Sequence, residues 1–200
     1  MSSKARYFST MPSSPFALQE TRVIAELMLS YGSRSEVRGI VHEGNLLNVR
    51  SDSNESKIFN YIYNRLSNIP DDLKMVIIRG EIADSKYVNL ISIMSYDMLF
   101  KDFVFEVYNS KRMDSDPITD YDIMRYFERK SSEDDVVAGW GYETLFKLRR
   151  LYARVLFEAG LLRNSTGMRE TTTPIISIPV LDVLVQSGFR DYVGATVGSP

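Results

Sequence analysis

The chain has 200 residues, with 24 lysines and arginines, 26 acidic residues and a hydrophobic fraction of 44%. These values indicate a soluble globular protein with one domain or two small ones, and they exclude a disordered tail protein. The chain has no cysteine and a single histidine, His42. A disulfide framework, a thiol nucleophile and a cysteine-rich metal site are therefore excluded, and a multi-histidine site is nearly so.

Helical spacing of apolar residues dominates the first part of the chain. We expect a flexible tail over residues 1–14 and an N-terminal helical bundle over residues 15–113. The helices predicted in this bundle cover, in chain order, residues 15–31, 35–43, 56–66, 70–79, a helix that begins at Asp84 or Ser85, and residues 96–111.

The charged, proline-containing link 112–117 predicts a boundary, after which we place a winged-helix-like domain over residues 114–193. Its predicted elements are a helix over 120–129, a long helix over 142–159, a β-hairpin over 161–178 and a last helix over 180–186. A helix, turn, helix and hairpin in this order are what a winged helix-turn-helix requires. Residues 194–200 are small and predict a second flexible tail. The expected fold is therefore mainly α, with a short β-hairpin.

The charges are unevenly distributed along the chain, although the net charge is only −2. Residues 140–170 hold six basic and three acidic residues, whereas residues 51–139 hold 11 basic and 17 acidic ones. This polarity predicts a basic patch that could neutralise nucleic-acid phosphates.

The candidate DNA-binding residues lie mainly on the long helix. Lys147, Arg150 and Arg154 share one helical face at spacings of three and four, away from the apolar face. The first helical turn is where a recognition helix usually meets the duplex, and two arginines flank the predicted wing tip. A second basic cluster in the first fifty residues could extend the surface. The full candidate set is Tyr142, Thr144, Lys147, Arg149, Arg150, Arg154, Arg163, Arg169, Arg34 and Arg38.

A charged helical face is also commonly just a solvated one. Glu143 with Lys147 and Arg154 with Glu158 are spaced as i,i+4 pairs, which supports this simpler interpretation. The paired acids along the chain lie at predicted helix starts or in polar links, and no phosphate-loop, nucleophile or paired-histidine motif is present. The sequence therefore predicts no enzyme, no metal site and no cofactor.

Several segments of the chain resemble the BrxA family of the BREX bacteriophage-exclusion systems. They are FALQETRVIAELMLS at 16–30, EGNLLNVRS at 43–51 followed by Arg65-Leu66, LFKDFVFEV at 99–107, TLFKLR at 144–149 and EAGLL at 158–162. The likeness spans residues 16–162 and includes no catalytic signature.

This resemblance implies a mainly helical, cytoplasmic, non-enzymatic protein that binds double-stranded DNA. It also implies an overall similarity to the NusB fold, a winged-helix-like part, and action beside the methyltransferase, ATPase and other proteins of a BREX locus. No segment approaches the roughly 20 apolar residues that a membrane span needs, so no membrane partner is expected. Two other functions remain open: an adaptor that docks on a larger defence subunit through the acidic middle region, and an RNA binder.

Overall fold

Short connections join the helices in the computed structural model, which describes residues 7–8 and 11–198. Within those residues the elements are α1 (Leu18–Ser30), α2 (Arg34–Glu43), α3 (Asp52–Leu66), α4 (Asp71–Arg79), α5 (Ile82–Tyr96), α6 (Met98–Phe103), a π-helical turn (Val104–Tyr108), α7 (Asn109–Met113), α8 (Asp120–Glu133), α9 (Asp135–Ala138), α10 (Tyr142–Glu158), α11 (Ile178–Gln186) and α12 (Arg190–Thr196). The predicted mainly helical class is confirmed. No helix in this described part is both long and apolar enough to cross a membrane.

Helix α5 lies at the centre of the molecule. Ten of its fifteen residues are buried, and apolar residues occur on all its sides. A helix of this kind must be covered by other elements, and α5 indeed contacts α1, α3, α4, α6 and α10. The N-terminal bundle is therefore arranged around α5, and α10 from the second predicted part reaches the same core.

Tyr152 shows how α10 joins that core. Its ring lies 4.9 Å from the Phe100 ring, 5.3 Å from Phe103 and 5.4 Å from Phe127, measured between centroids. These aromatic neighbours come from α6 and α8, so one apolar cluster connects elements on both sides of the predicted boundary. Aromatic rings at such separations prefer defined mutual orientations, and the pairs stabilise the core beyond the burial of apolar area.

Asp97 ends one helix and begins the next. The sequence predicts a helix over 96–111. Helix α5 ends at Tyr96, α6 begins at Met98, and the Asp97 carboxylate accepts a hydrogen bond of 2.9 Å from the Phe100 backbone N–H. An aspartate in this position caps a new helix because it satisfies a free backbone N–H group. The start of the predicted helix is therefore confirmed to within two residues, and the helical path continues through the π-helical turn to Met113.

The predicted β-hairpin is only partly present. In the described residues there is no sheet, and the only bridges are Leu162 with Thr171 and Ile118 with Arg169, both antiparallel. Beyond Thr172 the chain stays extended without pairing, and Ile178 already belongs to α11. Pro174 and Pro179 explain this, because proline lacks the N–H group that a strand ladder needs, whereas Pro179 is favourable in a first helical turn.

The C-terminal tail begins later than the sequence predicts. Helix α12 continues to Thr196, and Val193, Ala195 and Thr196 are buried. The Thr196 hydroxyl lies 2.6 Å from the Tyr87 hydroxyl, so packing on α5 outweighs the weak helix propensity of Gly194. Residues 199–200 lie outside the described residues.

The predicted N-terminal tail, residues 1–14, lies partly outside the described residues, which omit 1–6 and 9–10. In the described part, Tyr7 and Met11 are buried. The Tyr7 hydroxyl donates a hydrogen bond of 2.7 Å to the Asp102 carboxylate on α6. These two residues are therefore packed rather than free.

The chain before α1 is held by the buried side chain of Arg65. Its guanidinium donates to the carbonyl oxygens of Pro15 and Phe16, at 2.6 and 3.1 Å, and to the side chains of Thr21 and Asn89. Helix α1 has no side-chain N-cap, so these contacts fix its start instead. Burial lowers the pKa of Arg65 to about 10, because the charged form loses its hydration.

We expect Arg65→Met to destabilise the protein by about 3 kcal/mol, because four oxygens lose their hydrogen-bond donor in a site without water access. Urea unfolding followed by circular dichroism measures the loss. Arg79→Met is the matched control, since Arg79 is exposed at the end of α4 and forms no ion pair with a described residue. Equal midpoints for Arg65→Met and the wild type would contradict this role.

A pH dependence of stability follows from Asp97. Burial raises its pKa to about 7 from the usual 3.8, despite hydrogen bonds from backbone N–H groups that favour the charged form. Between these values the folded state holds a proton that the unfolded state has released, so stability falls as the pH rises through this window.

The variant Asp97→Asn keeps a capping oxygen and cannot ionise, so it does not lose stability through this titration. We expect the difference in free energy of unfolding between Asp97→Asn and the wild type to grow in favour of the variant between pH 4 and pH 7, by on the order of 3 kcal/mol, and then to remain constant. Urea unfolding at a series of pH values measures it, with the exposed Asp182→Asn as the control for removing one carboxyl group. A difference that does not change with pH would refute the assignment.

Candidate nucleic-acid interface

The outer side of α10 forms one wall of a groove of about 860 Å³. The groove is also lined by Ser13 and by residues 165–167, which belong to the hairpin-like segment, residues 161–172. Helix α10 is oriented by its apolar face, where Leu148, Tyr152 and Val155 are buried. This burial turns the other face of α10 towards solvent, and half of the predicted residues line the groove: Lys147, Arg149, Arg150, Arg154 and Arg169.

Lys147 and Arg150 are the two cations of the groove that have no partner among the described residues, while Glu143, which also lines the groove, is an acid without one. Both side chains are exposed, and neither forms an ion pair or a hydrogen bond with a described residue. They lie three residues apart on the helix, so they are neighbours on its surface. Their charges are therefore available to a ligand anion.

The positive charge of Arg154 is partly compensated by Glu158. Its Nε donates to the Glu158 carboxylate at 2.7 Å, while half of its side chain remains exposed. An exposed i,i+4 pair contributes only a few tenths of a kcal/mol, about 0.3–0.5, so a phosphate can replace the carboxylate at low cost. The predicted Glu143–Lys147 pair does not form between these described residues.

Arg149 and Arg169 hold one shared carboxylate. The Asp120 carboxylate forms an ion pair with the Arg149 guanidinium at 2.8 Å and accepts a hydrogen bond of 2.6 Å from the Arg169 guanidinium. Arg169 is 5% exposed and also donates to the carbonyl oxygens of Ser165 and Gly167. Both arginines therefore connect α8, α10 and the hairpin-like segment, and their charge is used inside the protein.

Tyr142 and Thr144 occupy the first turn of α10. Tyr142 is 66% exposed, whereas Thr144 is half-buried. Neither lines the groove. The Tyr142 ring instead lies 6.0 Å from the ring of Phe146, which does line the groove.

The two aromatic residues of the groove, Phe146 and Phe157, are absent from the sequence-based set. Phe146 lies under the Arg149 guanidinium, whose carbon is 4.3 Å from the ring centroid. Phe157 is 42% exposed although it is large and apolar. The sequence could have identified both phenylalanines, because they are eleven positions apart. In a helix with 3.6 residues per turn, this spacing puts them on the same side, which here is the basic side.

Arg163 lies apart from the α10 groove. It faces a second groove together with Arg112 and Met168, and its guanidinium is 3.4 Å from the Glu170 carboxylate. Both side chains of this pair are largely exposed, so the pair is weak. Arg163 therefore extends the basic surface only around the hairpin-like segment.

Arg34 and Arg38 belong to the N-terminal bundle and do not line the α10 groove. Arg34 donates to the Asn60 and Asn64 side chains and lies over the Tyr63 ring. Arg38 donates to the Ser56 hydroxyl at 2.9 Å. The structure therefore does not bring the two predicted basic clusters together in one groove.

Known proteins are similar to this one in fold and in sequence. A crystal structure of an uncharacterized protein from Magnetospirillum magneticum covers 96% of this chain and 98% of that one with a TM-score of 0.83, and the two are 22% identical. A protein of Bacillus cereus (strain H3081.97), named BREX protein BrxA, is 33% identical over 193 residues, which is 96% of each chain. The profile of the BrxA family matches residues 5–188. The chain belongs to the BrxA family.

Proposed function

We propose that this protein is a non-enzymatic, double-stranded DNA-binding accessory protein of a BREX phage-defence system. The defence system follows from the name of the Bacillus cereus relative. The DNA-binding role is argued from the chemistry of the α10 groove.

The observation that carries this proposal is the pair of free cations, Lys147 and Arg150, on the exposed side of α10. A fixed helical face with unpaired positive charge attracts a polyanion, and each phosphate it neutralises releases condensed counterions. Lys147 and Arg150 are attached at defined positions of α10. Arg154 can add a third phosphate contact if a phosphate replaces the Glu158 carboxylate as its partner. Backbone contacts of this kind give affinity without strong sequence preference.

The chain path supports a winged-helix interpretation of the second part. The bridges put Leu162 beside Thr171 and Arg169 beside Ile118, so the segment before α8 lies next to the returning arm of the hairpin-like segment. Two helices followed by a wing, with a short strand before them, are the parts of a winged helix. In this interpretation α10 is the recognition helix and residues 163–170 are the wing. The overall likeness to the NusB fold stays a prediction.

Arg149 and Arg169 have a positioning role in this proposal. By holding Asp120 they fix the wing relative to α10, so that both elements can meet one duplex. The site then depends on Lys147, Arg150, Arg154 and the exposed Arg163 for phosphate contacts. We further propose that the protein acts in the cytoplasm with other BREX proteins, such as the methyltransferase and the ATPase.

The decisive experiment is a fluorescence-anisotropy titration with a duplex of about 30 base pairs at several salt concentrations. We expect binding that weakens steeply with salt, because the slope of log affinity against log salt is about 0.9 for each phosphate contacted. Exchanging Lys147, Arg150 and Arg154 for Glu is expected to reduce the affinity more than 100-fold and the slope by about 3.

The control carries the same change of charge at another place. Lys57, Arg79 and Arg190 are exposed on α3, α4 and α12 and form no ion pair with a described residue, so their exchange for Glu tests net charge alone. If both triple variants lose binding equally, the α10 groove is not the site. Both variants must keep the helical circular dichroism of the wild type.

Two other results would redirect the proposal. Tighter binding of duplex or single-stranded RNA than of DNA would favour an RNA binder that uses the same basic residues. Absence of binding at low salt would favour an adaptor, and pull-downs with the other BREX proteins would then test the acidic surface of residues 51–139.

A further inference from the structure

Four side chains form a continuous column beside the start of α10. The Asp120 carboxylate forms an ion pair of 2.8 Å with the Arg149 guanidinium. That guanidinium lies 4.3 Å from the Phe146 centroid, and the Phe146 ring lies 6.0 Å from the Tyr142 ring at an interplanar angle of 34°. The three helical members are spaced by four and three residues, so they share one side of α10. The column begins at an ion pair and ends at Tyr142.

The two ends of this column differ. At the inner end, Asp120 holds Arg149 and also accepts from the buried Arg169, so the guanidinium plane is fixed. At the outer end, two thirds of Tyr142 remain exposed, and among the described aromatic residues only the Phe146 ring contacts its ring. The column therefore presents a pre-oriented aromatic face to solvent.

A free cation lies further along the same row of side chains. Tyr142, Phe146 and Arg150 follow one another at spacings of four residues on α10, so they are neighbours in one row on its surface, and Arg150 lies about 12 Å from Tyr142 along the helix axis. A flat aromatic face in line with an unpaired cation is a combination that single-stranded nucleic acids recognise, since a base stacks on the ring and a phosphate of the same strand pairs with the cation.

We propose that Tyr142 is a stacking site for an unpaired nucleobase and that a phosphate further along the same strand binds Arg150. This rests on the proposed DNA-binding function and names the form of DNA that the protein binds best. In a closed duplex each base is already stacked on its neighbours and Tyr142 reaches none of them. A duplex with a short unpaired region exposes base faces, so the protein binds it more tightly than a closed duplex.

The test compares two duplexes of about 30 base pairs that are identical except for a central bubble of three unpaired positions. By anisotropy, we expect the wild type to bind the bubble about tenfold more tightly. Tyr142→Ala should bring the two DNAs to the same affinity, and Tyr142→Phe should restore the preference because the ring is kept. Tyr31→Ala, which removes an exposed tyrosine at the end of α1, is the matched control and should keep the preference.

A second readout follows the base itself. With 2-aminopurine in the bubble, stacking on Tyr142 should quench its emission when the wild type binds, and Tyr142→Ala should leave the emission unchanged. Equal, salt-sensitive binding of both DNAs by the wild type would overturn the stacking site and leave the proposed function intact. A bubble preference that survives in Tyr142→Ala would also overturn it. Absence of binding to either DNA would overturn the proposed function and the stacking site with it.

Discussion

The burial of α5 beyond its first turn is the constraint on which the rest of the fold depends. Ten of its fifteen residues are buried, so the neighbouring helices must cover it on several sides. That need brings α1, α3, α4, α6 and α10 into contact with it. It also explains why the last helix, α12, packs against Tyr87 through Thr196.

Because one face of α10 is used in this packing, its opposite face is free to carry charge. The basic residues that line the groove form two groups. Arg149 and Arg169 share Asp120 and hold the hairpin-like segment against α10, whereas Lys147 and Arg150 have no such partner. A buried guanidinium needs oxygen acceptors because it has lost its hydration, and an exposed one finds them in water. The distribution of partners thus separates residues that build the groove from residues that can bind in it.

Most helices could be predicted from the sequence, because apolar residues at a spacing of 3.6 reflect the same burial that forms the helix. An error arose where a distant contact decides the local structure, because the packing of Thr196 on Tyr87 extends α12 into a predicted tail. The candidate site was predicted by charge and helical face, which identified Lys147 and Arg150. The sequence could not show that Asp120, far away along the chain, would take up Arg149 and Arg169, since pairing is a property of three-dimensional proximity.

The position of Arg65 limits where the chain can be shortened. Its guanidinium is held by carbonyl oxygens of residues 15 and 16, that is, by the backbone of the segment immediately before α1. A shortened chain that starts at Leu18 would keep all of its helices and still leave a buried cation without these acceptors. For expression, labelling or tethering of this protein, residues 15–17 are therefore part of the folded unit, as are the buried Tyr7 and Met11.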